Sequence, residues 1–407
     1  MMRYRIMESG LDSYFRRLLK VNKPWKVVNV ILSEDTERTD IYLSTGGAKS
    51  MPCPECGKMC PVYDSVEREW RHLDLCDSHS FIHADVPRVK CEEHGVKRCD
   101  VPWARPYVGH TYRFEEVALS KLRTTSISAV AREMCVGYDV LHGMIKRYVD
   151  DRLAQMDLSG LRRICVDETS AKRGHRYITV ITDADTGRIV FITEGKGADG
   201  LLKFTSWMKD HNGDPDNVEL VSCDFSGSFL SGISSNLPNA DIVYDKFHLF
   251  KMANDAMDKV RSLNQKNGYR HKWIRFKLLR NGKDLTENDK AVIFDIKQDN
   301  KEIGLAYEMK ESLIQLYDYP DRASAREHLI RWVKWVMDAG AQRMKAVAKT
   351  VQRHMEKILN WFDHRMSNGF LEGLNGMIQT TKRVGRGFPN TLNFIYMVYF
   401  KHGRLPI

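Results

Sequence analysis

The rhythm of apolar and polar positions changes several times along the chain. Between Ser80 and Lys90, "SFIHADVPRVK" alternates with period two, which predicts a strand. From residue 111 to 155 the period lengthens to that of a helix, first in "RFEEVALSKLR" and then in "SISAVAREMCVGYDVLHGMIKRYVDDRL". The second stretch predicts Val130, Met134, Val140, Met144 and Ile145 as inward positions on either side of a break at Cys135-Val136-Gly137. After residue 160 strands return: "RRICVDET", "RYITVITDADTG" and "RIVFITEG", with a hairpin turn at Asp185-Thr186-Gly187. A helix follows in "ADGLLKFTSWMKDH", with Leu201, Leu202, Phe204 and Trp207 predicted inward. Two more strands end at Asp224 and near Asp245. Residues 251 to 362 are then helical in pattern. Leu329, Trp332, Val333 and Val336 recur at helical spacing, as do Met344, Ala348, Val351, Met355 and Ile358. A last helix carries Leu371, Leu374 and Ile378 on the face that packs on the sheet.

Three antiparallel strands, a helix and then parallel strands is the order of a ribonuclease H-like fold. The whole pattern predicts a multidomain α+β protein. Its parts are an N-terminal segment (1–50), a small zinc-binding ribbon (51–105) and a helix-turn-helix (108–155). The α/β catalytic domain is predicted in two parts (160–250 and 363–405), split by an all-helical insertion (251–362).

Composition narrows the class. Hydrophobic content of 43% and charged content of 29% describe a soluble globular protein. No stretch reaches the roughly 20 apolar residues of a membrane span, and "MMRYRIMESG" has no signal-peptide core. The net charge of +10 favours a polyanionic partner. Nine cysteines, an odd number, argue against a secreted disulfide framework and for a reducing cytoplasm.

The cysteines gather in two gapped pairs. Cys53-Pro-Glu-Cys56-Gly and Cys91-Glu-Glu-His94-Gly each form a turn that aims two side chains at one tetrahedral ion. The expected ligand set is Cys53, Cys56, Cys91 and His94, with Cys60 and Cys99 as substitutes. Four protein ligands leave no open position, so this Zn2+ is structural. The helical pair resembles a helix-turn-helix with residues 138–150 as the recognition helix. Arg132, His142, Lys146 and Arg147 are its candidates for contact with phosphates or bases. Cys135 stands where such a turn usually carries glycine.

The acids carry the chemistry. An ionised carboxylate beside a buried strand is costly without a partner or a metal. In a ribonuclease H-like sheet the ends of the first and fourth strands lie side by side, and Asp167 and Asp224 occupy those places. Strand alternation turns Glu168 away from Asp167. Two Mg2+ ions suit such oxygens and activate water or a 3′-hydroxyl for in-line attack on a phosphodiester. Two carboxylates hold such ions weakly. Glu372 on the last helix supplies a third, and Lys382, Arg383 and Arg386 follow it as candidate backbone contacts. Trp332 and Trp335 are candidates for base stacking or for the core. The basic, aromatic "YRHKWIRFKLLRN" is a further candidate DNA contact or solvated surface.

Taken together, "CPECG", "RVKCEEHGV", "VPWAR", "VDETSAKRGHRYITVITD", "LVSCDFSGSF", "LPNADIVYDKFHL" and "SNGFLEGLNGMIQTTKRVGRGF" resemble a bacterial insertion-sequence transposase of the DDE type. The resembling subgroup has an N-terminal zinc ribbon, a helix-turn-helix and a catalytic domain split by helices. The resemblance runs from about residue 50 to 400. It implies binding to terminal inverted repeats in double-stranded DNA, then metal-dependent strand cleavage and strand transfer within a homo-oligomer. It implies Asp167, Asp224 and Glu372 as the catalytic acids, and an Asp-x-x-His pattern at Asp245 and His248 beside them. It also implies that Mn2+ replaces Mg2+. The alternatives are a DNA-binding regulator with a silent catalytic domain, or a nuclease that does not join.

Overall fold

The alternating segments before residue 100 pair into one mixed sheet. The computed structural model describes residues 4–5, 15–16, 19, 21–172, 176–195, 197–266, 273–366, 369–388 and 390–405. Contacts divide the chain into two units, Met1–Ile145 and Lys146–Ile407.

In the first unit the strands are β1 (Tyr4–Arg5), β2 (Lys26–Ser33), β3 (Arg38–Ser44), β4 (Ser50–Pro52), β5 (Met59–Arg71), β6 (His79–Cys91) and β7 (Gly95–Arg98). They are ordered β1-β2-β3-β6-β5-β4, with β7 also on β6. The β3–β6 pair is parallel and the others are antiparallel. The segment before residue 50 is thus built into the same sheet as the cysteine motifs. Its inward face packs a cluster in which Trp103 meets Trp25 and Trp70 edge-on at 4.8 and 5.4 Å. A smaller cluster of Met51, Cys53, Cys60, Val89, Cys91 and Cys99 lies at the far end of β5 and β6. That is little apolar area for so long a hairpin, so a further tether has a role there.

Three helices follow: α1 (Tyr112–Thr124), α2 (Ile127–Glu133) and α3 (Tyr138–Leu153). Thr111 caps α1 through the amide of Phe114, and Ser126 caps α2 through that of Ala129. The start of α1 is tied to the end of β5. The Arg71 amide donates to the Gly109 carbonyl, the Thr111 amide donates to the Arg71 carbonyl, and His72 Nδ1 lies 2.8 Å from Thr111 Oγ1. Val130, Met134, Met144 and Ile145 are buried as expected, but Val140 is 41% exposed and Leu141 takes the inward place. Leu141 lies three and four positions before Met144 and Ile145 and so shares their face, whereas Val140 lies four and five before them.

The second unit holds the sheet β10-β9-β8-β11-β12, from β8 (Arg163–Lys172), β9 (Arg176–Asp183), β10 (Ile189–Glu194), β11 (Leu220–Cys223) and β12 (Asp241–Tyr244). β8, β9 and β10 are antiparallel, while β8, β11 and β12 are parallel. This is the ribonuclease H-like order. Two helices, α4 (Ala198–Asp210) and α5 (Gly227–Asn236), connect its parallel strands. Leu201 and Phe204 of α4 are buried, whereas Leu202 is 61% exposed, on the opposite side of the helix.

The chain then runs through α6 (Lys246–Lys266), α7 (Ile274–Leu279), α8 (Glu287–Asp299), α9 (Lys301–Ile314), α10 (Arg322–Ala339), α11 (Gln342–Arg353) and α12 (Met355–His364). Trp332 belongs to this core, 2% exposed, with its indole N–H donated to the Met309 carbonyl. Base stacking by Trp332 is thereby excluded. The repeat through Met344 and Ile358 breaks at His354 into two helices, the second of which packs on β12. Asn360 donates to the Ile242 carbonyl and His354 meets Tyr244 Oη at 3.1 Å. Two final helices, α13 (Gly369–Val384) and α14 (Thr391–His402), return to the sheet. Of the basic aromatic segment, residues 269–272 lie outside the described residues, while Trp273 and Phe276 are exposed.

Candidate functional site

Gly57 and Gly95 turn the two cysteine knuckles. Both take left-handed φ (71° and 68°), and the Gly57 amide donates to the Cys53 carbonyl. The Cys53, Cys56, Cys91 and His94 ligand atoms then all lie within 4.8 Å of one another. Cys56 Sγ is 3.8 Å from Cys91 Sγ, and His94 Nδ1 is 3.5 Å from Cys91 Sγ. A tetrahedron with Zn–S of about 2.3 Å has an edge of about 3.8 Å, so the donor set fits zinc. The substitutes are not in it. Cys60 and Cys99 turn their sulfurs to the Lys58 and Pro52 carbonyls. Burial pushes the Cys99 thiol up to about 11, whereas the His94 amide holds Cys91 down to about 6.

In the second unit the acids are placed by strand register. Ser222 on β11 lies beside Cys165 on β8; Asp167 comes two residues further along β8, and Asp224 one residue past the end of β11. Both are half-buried. The Asp167 carboxylate accepts from the Glu168 amide at 2.7 Å and from Asn375 Nδ2 at 2.6 Å. Burial, with the Asp224 charge adding to it, holds its carboxyl above the usual range against those two hydrogen bonds and the nearby His248. An acid in that state gains from a cation. Asp224 is fixed by the Ser226 amide at 3.0 Å.

Asp245 and His248 flank the pair. Asp245 is buried and its Oδ2 lies 3.1 Å from His248 Nδ1. That bond, together with the fields of Asp245, Asp167 and Asp224, raises the imidazole above its ordinary value. A cationic His248 is thus favoured next to the acids.

The helix α13 lies along β8. Asn375 holds Asp167, Gln379 donates to Thr169 Oγ1 and to the Ser170 carbonyl, and Lys382 reaches that carbonyl at 2.9 Å. Positions 372, 375, 379 and 382 form one stripe of the helix, so Glu372 stands one turn before Asn375 on the strand-facing side. Leu371, Leu374 and Ile378 are buried beside it as expected. Glu372 itself is exposed, and among the described residues the three acids do not converge within 4.8 Å as the candidate zinc ligands do. Asn375 and Gln379 were missed in the sequence. Their signal was the amide spacing along the stripe that already carried Glu372.

The candidate DNA contacts separate. Arg132 and Lys146 are exposed, His142 stacks on Tyr138, and Arg147 is half-buried. Arg383 and Arg386 are exposed after Lys382, which is spent on β8. No described helix is long and apolar enough to cross a membrane.

Comparison with known proteins follows the same divisions. Residues 164–398, more than half of the chain, match the ISL3 model described as transposase. Residues 49–94 match a zinc-finger of transposase IS204/IS1001/IS1096/IS1165, and 99–149 match the helix-turn-helix domain of transposase family ISL3. The transposase for insertion sequence element IS1557 of Mycobacterium tuberculosis is 28% identical, covering 92% of this chain and 91% of that protein. The transposase for insertion sequence element IS1001 of Bordetella parapertussis is 26% identical, covering 92% and 95%. The catalytic domain, helix-turn-helix and zinc ribbon therefore make the chain a member of the ISL3 family of DDE transposases, enzymes that cleave and join DNA.

Proposed function

We propose that Asp167, Asp224 and Glu372 are the catalytic acids with which this transposase cuts the ends of its element and joins them to target DNA. The observation that carries this is the β8–β11 register, which sets Asp167 abreast of Asp224, with α13 bonded to Asp167 through Asn375. Two divalent ions at this site, Mg2+ or Mn2+, would help activate the oxygen nucleophile and neutralise charge on the phosphate. When bound, such ions would be held by Asp167, Asp224 and Glu372. Asn375 and the Glu168 amide fix the Asp167 carboxylate, and Asp245 keeps His248 turned toward the acids. One Zn2+ on Cys53, Cys56, Cys91 and His94 holds the ribbon in shape and takes no part in the chemistry. Residues of the first unit and of α3, among them Arg132, His142, Lys146 and Arg147, bind the inverted repeats, and the active assembly is a homo-oligomer in the bacterial nucleoid. Arg383 and Arg386 hold the DNA backbone.

The test uses the full chain and DNA carrying the repeats that flank its gene. Asp167→Asn, Asp224→Asn and Glu372→Gln each lower cleavage and strand transfer by a factor on the order of 10³ or more, with end binding and melting temperature retained. Glu168→Ala retains activity. Cleavage by Asp224→Asn near the parent rate overturns the assignment.

A further inference from the structure

The helical insertion contains a furrow that leads away from His248. Its volume is about 390 Å³, and it runs between α6 and α11. One wall is a stripe of α6, with His248 at the inner end, then Lys251, Asp255 and Lys259. The opposite wall carries Arg343 of α11. The floor is uncharged, made by Met252, Ala256, Ala346, Val347 and Thr350.

The charges in this furrow are unbalanced. Lys251, Lys259 and Arg343 are all exposed, and among the described residues none has a carboxylate within 4.0 Å. Several other cations of the same insertion are paired, although Lys301, Lys334, Lys349 and Arg353 are not. Lys277 and Arg280 bond Asp289, Arg322 and Arg326 bond Glu356, and the fully buried Lys310 bonds Glu311 and two carbonyls. Asp255 is the one carboxylate in the furrow, against three cations and His248. Lys251 and Lys259 are two turns apart, about 12 Å along the helix axis. The inner end is chemically continuous with the acids, since His248 is bonded to Asp245 and feels the charges of Asp167 and Asp224.

We propose that this furrow holds a single DNA strand by its phosphates as the strand leaves the catalytic acids. The inference rests on the catalytic assignment made above only for the direction of the strand. Charge selects a polyanion, and the furrow ends at residues that act on phosphodiesters. A volume of this size lies in the range of pockets that enclose nucleotide-sized groups, roughly 300–1,000 Å³, and is too small for a duplex. The floor offers no charged group to bases, so the grip is independent of sequence. Asp255 repels the backbone and weakens the grip, which lets a strand be released.

The experiment measures binding of the full-length protein, without divalent metal, to a fluorescent 20-nucleotide oligothymidylate across a range of salt concentrations. Replacing Lys251, Lys259 and Arg343 together by Ala lowers affinity about tenfold or more at low salt. It also reduces the slope of log affinity against log salt by about 2, since each single-strand phosphate contact contributes about 0.7. Asp255→Asn changes affinity in the opposite direction, tightening it about twofold or more. All four side chains are exposed, so circular dichroism and melting are expected to match the parent. Binding to duplex repeat ends is unchanged. A triple variant with parent affinity and slope for the oligonucleotide overturns the proposal, and so does a loss confined to duplex DNA. Asp167→Asn separates the two claims. If it still cleaves, the catalytic assignment falls while the oligonucleotide data continue to judge the furrow. If it is inactive and the triple variant binds normally, the furrow alone falls.

Discussion

At the scale of single residues, the amide of Asn375 and the ring of His72 make the most testable statements. Asn375 donates to the same carboxylate that the Glu168 amide holds, so Asp167 is oriented from two sides. Asn375→Ala is expected to lower kcat by about 10–100-fold, the usual cost of removing a group that orients a metal ligand, with KM for end DNA unchanged. Asn375→Asp sets a second carboxylate against the first. It should cost more, and it should move the acid limb of the pH–rate profile upward, because like charges disfavour ionisation. An unchanged profile in both variants rejects the positioning role. His72 lies buried between Arg71 and Thr111, and burial, with Arg113 and Arg71 adding to it, lowers its pKa to about 4. Its unfolded value is near 6.5, so the folded state binds the proton less well. The stability it secures is complete above pH 6.5 and is lost as pH falls toward 4, by roughly 3 kcal/mol at most. Urea melts from pH 7.5 to 4.5 should show this loss, and His72→Gln should flatten it. Neither residue was visible in the sequence. An asparagine in a helix and a histidine at a strand end acquire meaning only from what the fold sets opposite them.

At the scale of elements, the sequence was legible wherever one strong periodicity covered a whole segment. The five strands of the second sheet, their order and the α13 face of Leu371, Leu374 and Ile378 all follow from alternation or helical spacing. Failures came where two neighbouring apolar residues competed for one inward place, as at Val140 and Leu141, or where two contiguous helices shared one rhythm, as at His354. The participation of β2 and β3 in the zinc-bearing sheet was hidden as well, because the parallel β3–β6 pairing joins segments far apart in sequence. Cys135 shows the reverse case, a local oddity with a local cause. It occupies the turn between α2 and α3 with φ of 52°, a left-handed conformation that costs a side-chain-bearing residue roughly 1–2 kcal/mol. Glycine adopts it freely but loses about 0.5–1 kcal/mol more entropy on folding. Cys135→Gly should therefore stabilise the first unit by up to about 1 kcal/mol, a rise of a few degrees in melting temperature. A fall in melting temperature would show that the turn is held by contacts of the side chain.

At the scale of the whole molecule, the work of the protein is divided between units that differ in what stabilises them. All three proposed catalytic acids and the furrow lie in the second unit, which has a five-stranded sheet and a long helical core. The proposed zinc ligands lie in the first, where the end of the β5–β6 hairpin has only a small apolar cluster of six residues, four of them cysteines: the proposed ligands Cys53 and Cys91 and the neighbouring thiols Cys60 and Cys99. Metal therefore replaces core there, as it does in small domains that cannot bury enough area. Without zinc, three sulfurs and an imidazole stay crowded within 4.8 Å with no ion to neutralise the thiolates. The net charge of +10 adds a second division. It favours DNA of any sequence, while on the proposed reading selectivity for element ends depends on the first unit and α3 being folded. Cys53→Ser with Cys91→Ser, or prolonged chelation of the parent, is then expected to reduce bound zinc from one equivalent to near zero. The melting of the first unit should fall by about 10 °C or more. Preference for repeat ends over random duplex should vanish, while salt-sensitive binding to random DNA persists and the helical signal of the second unit melts where it did before. Elemental analysis, differential scanning calorimetry and competition binding read these separately. Zinc well below one equivalent in the parent protein, or end preference that survives the double substitution, contradicts the division of labour.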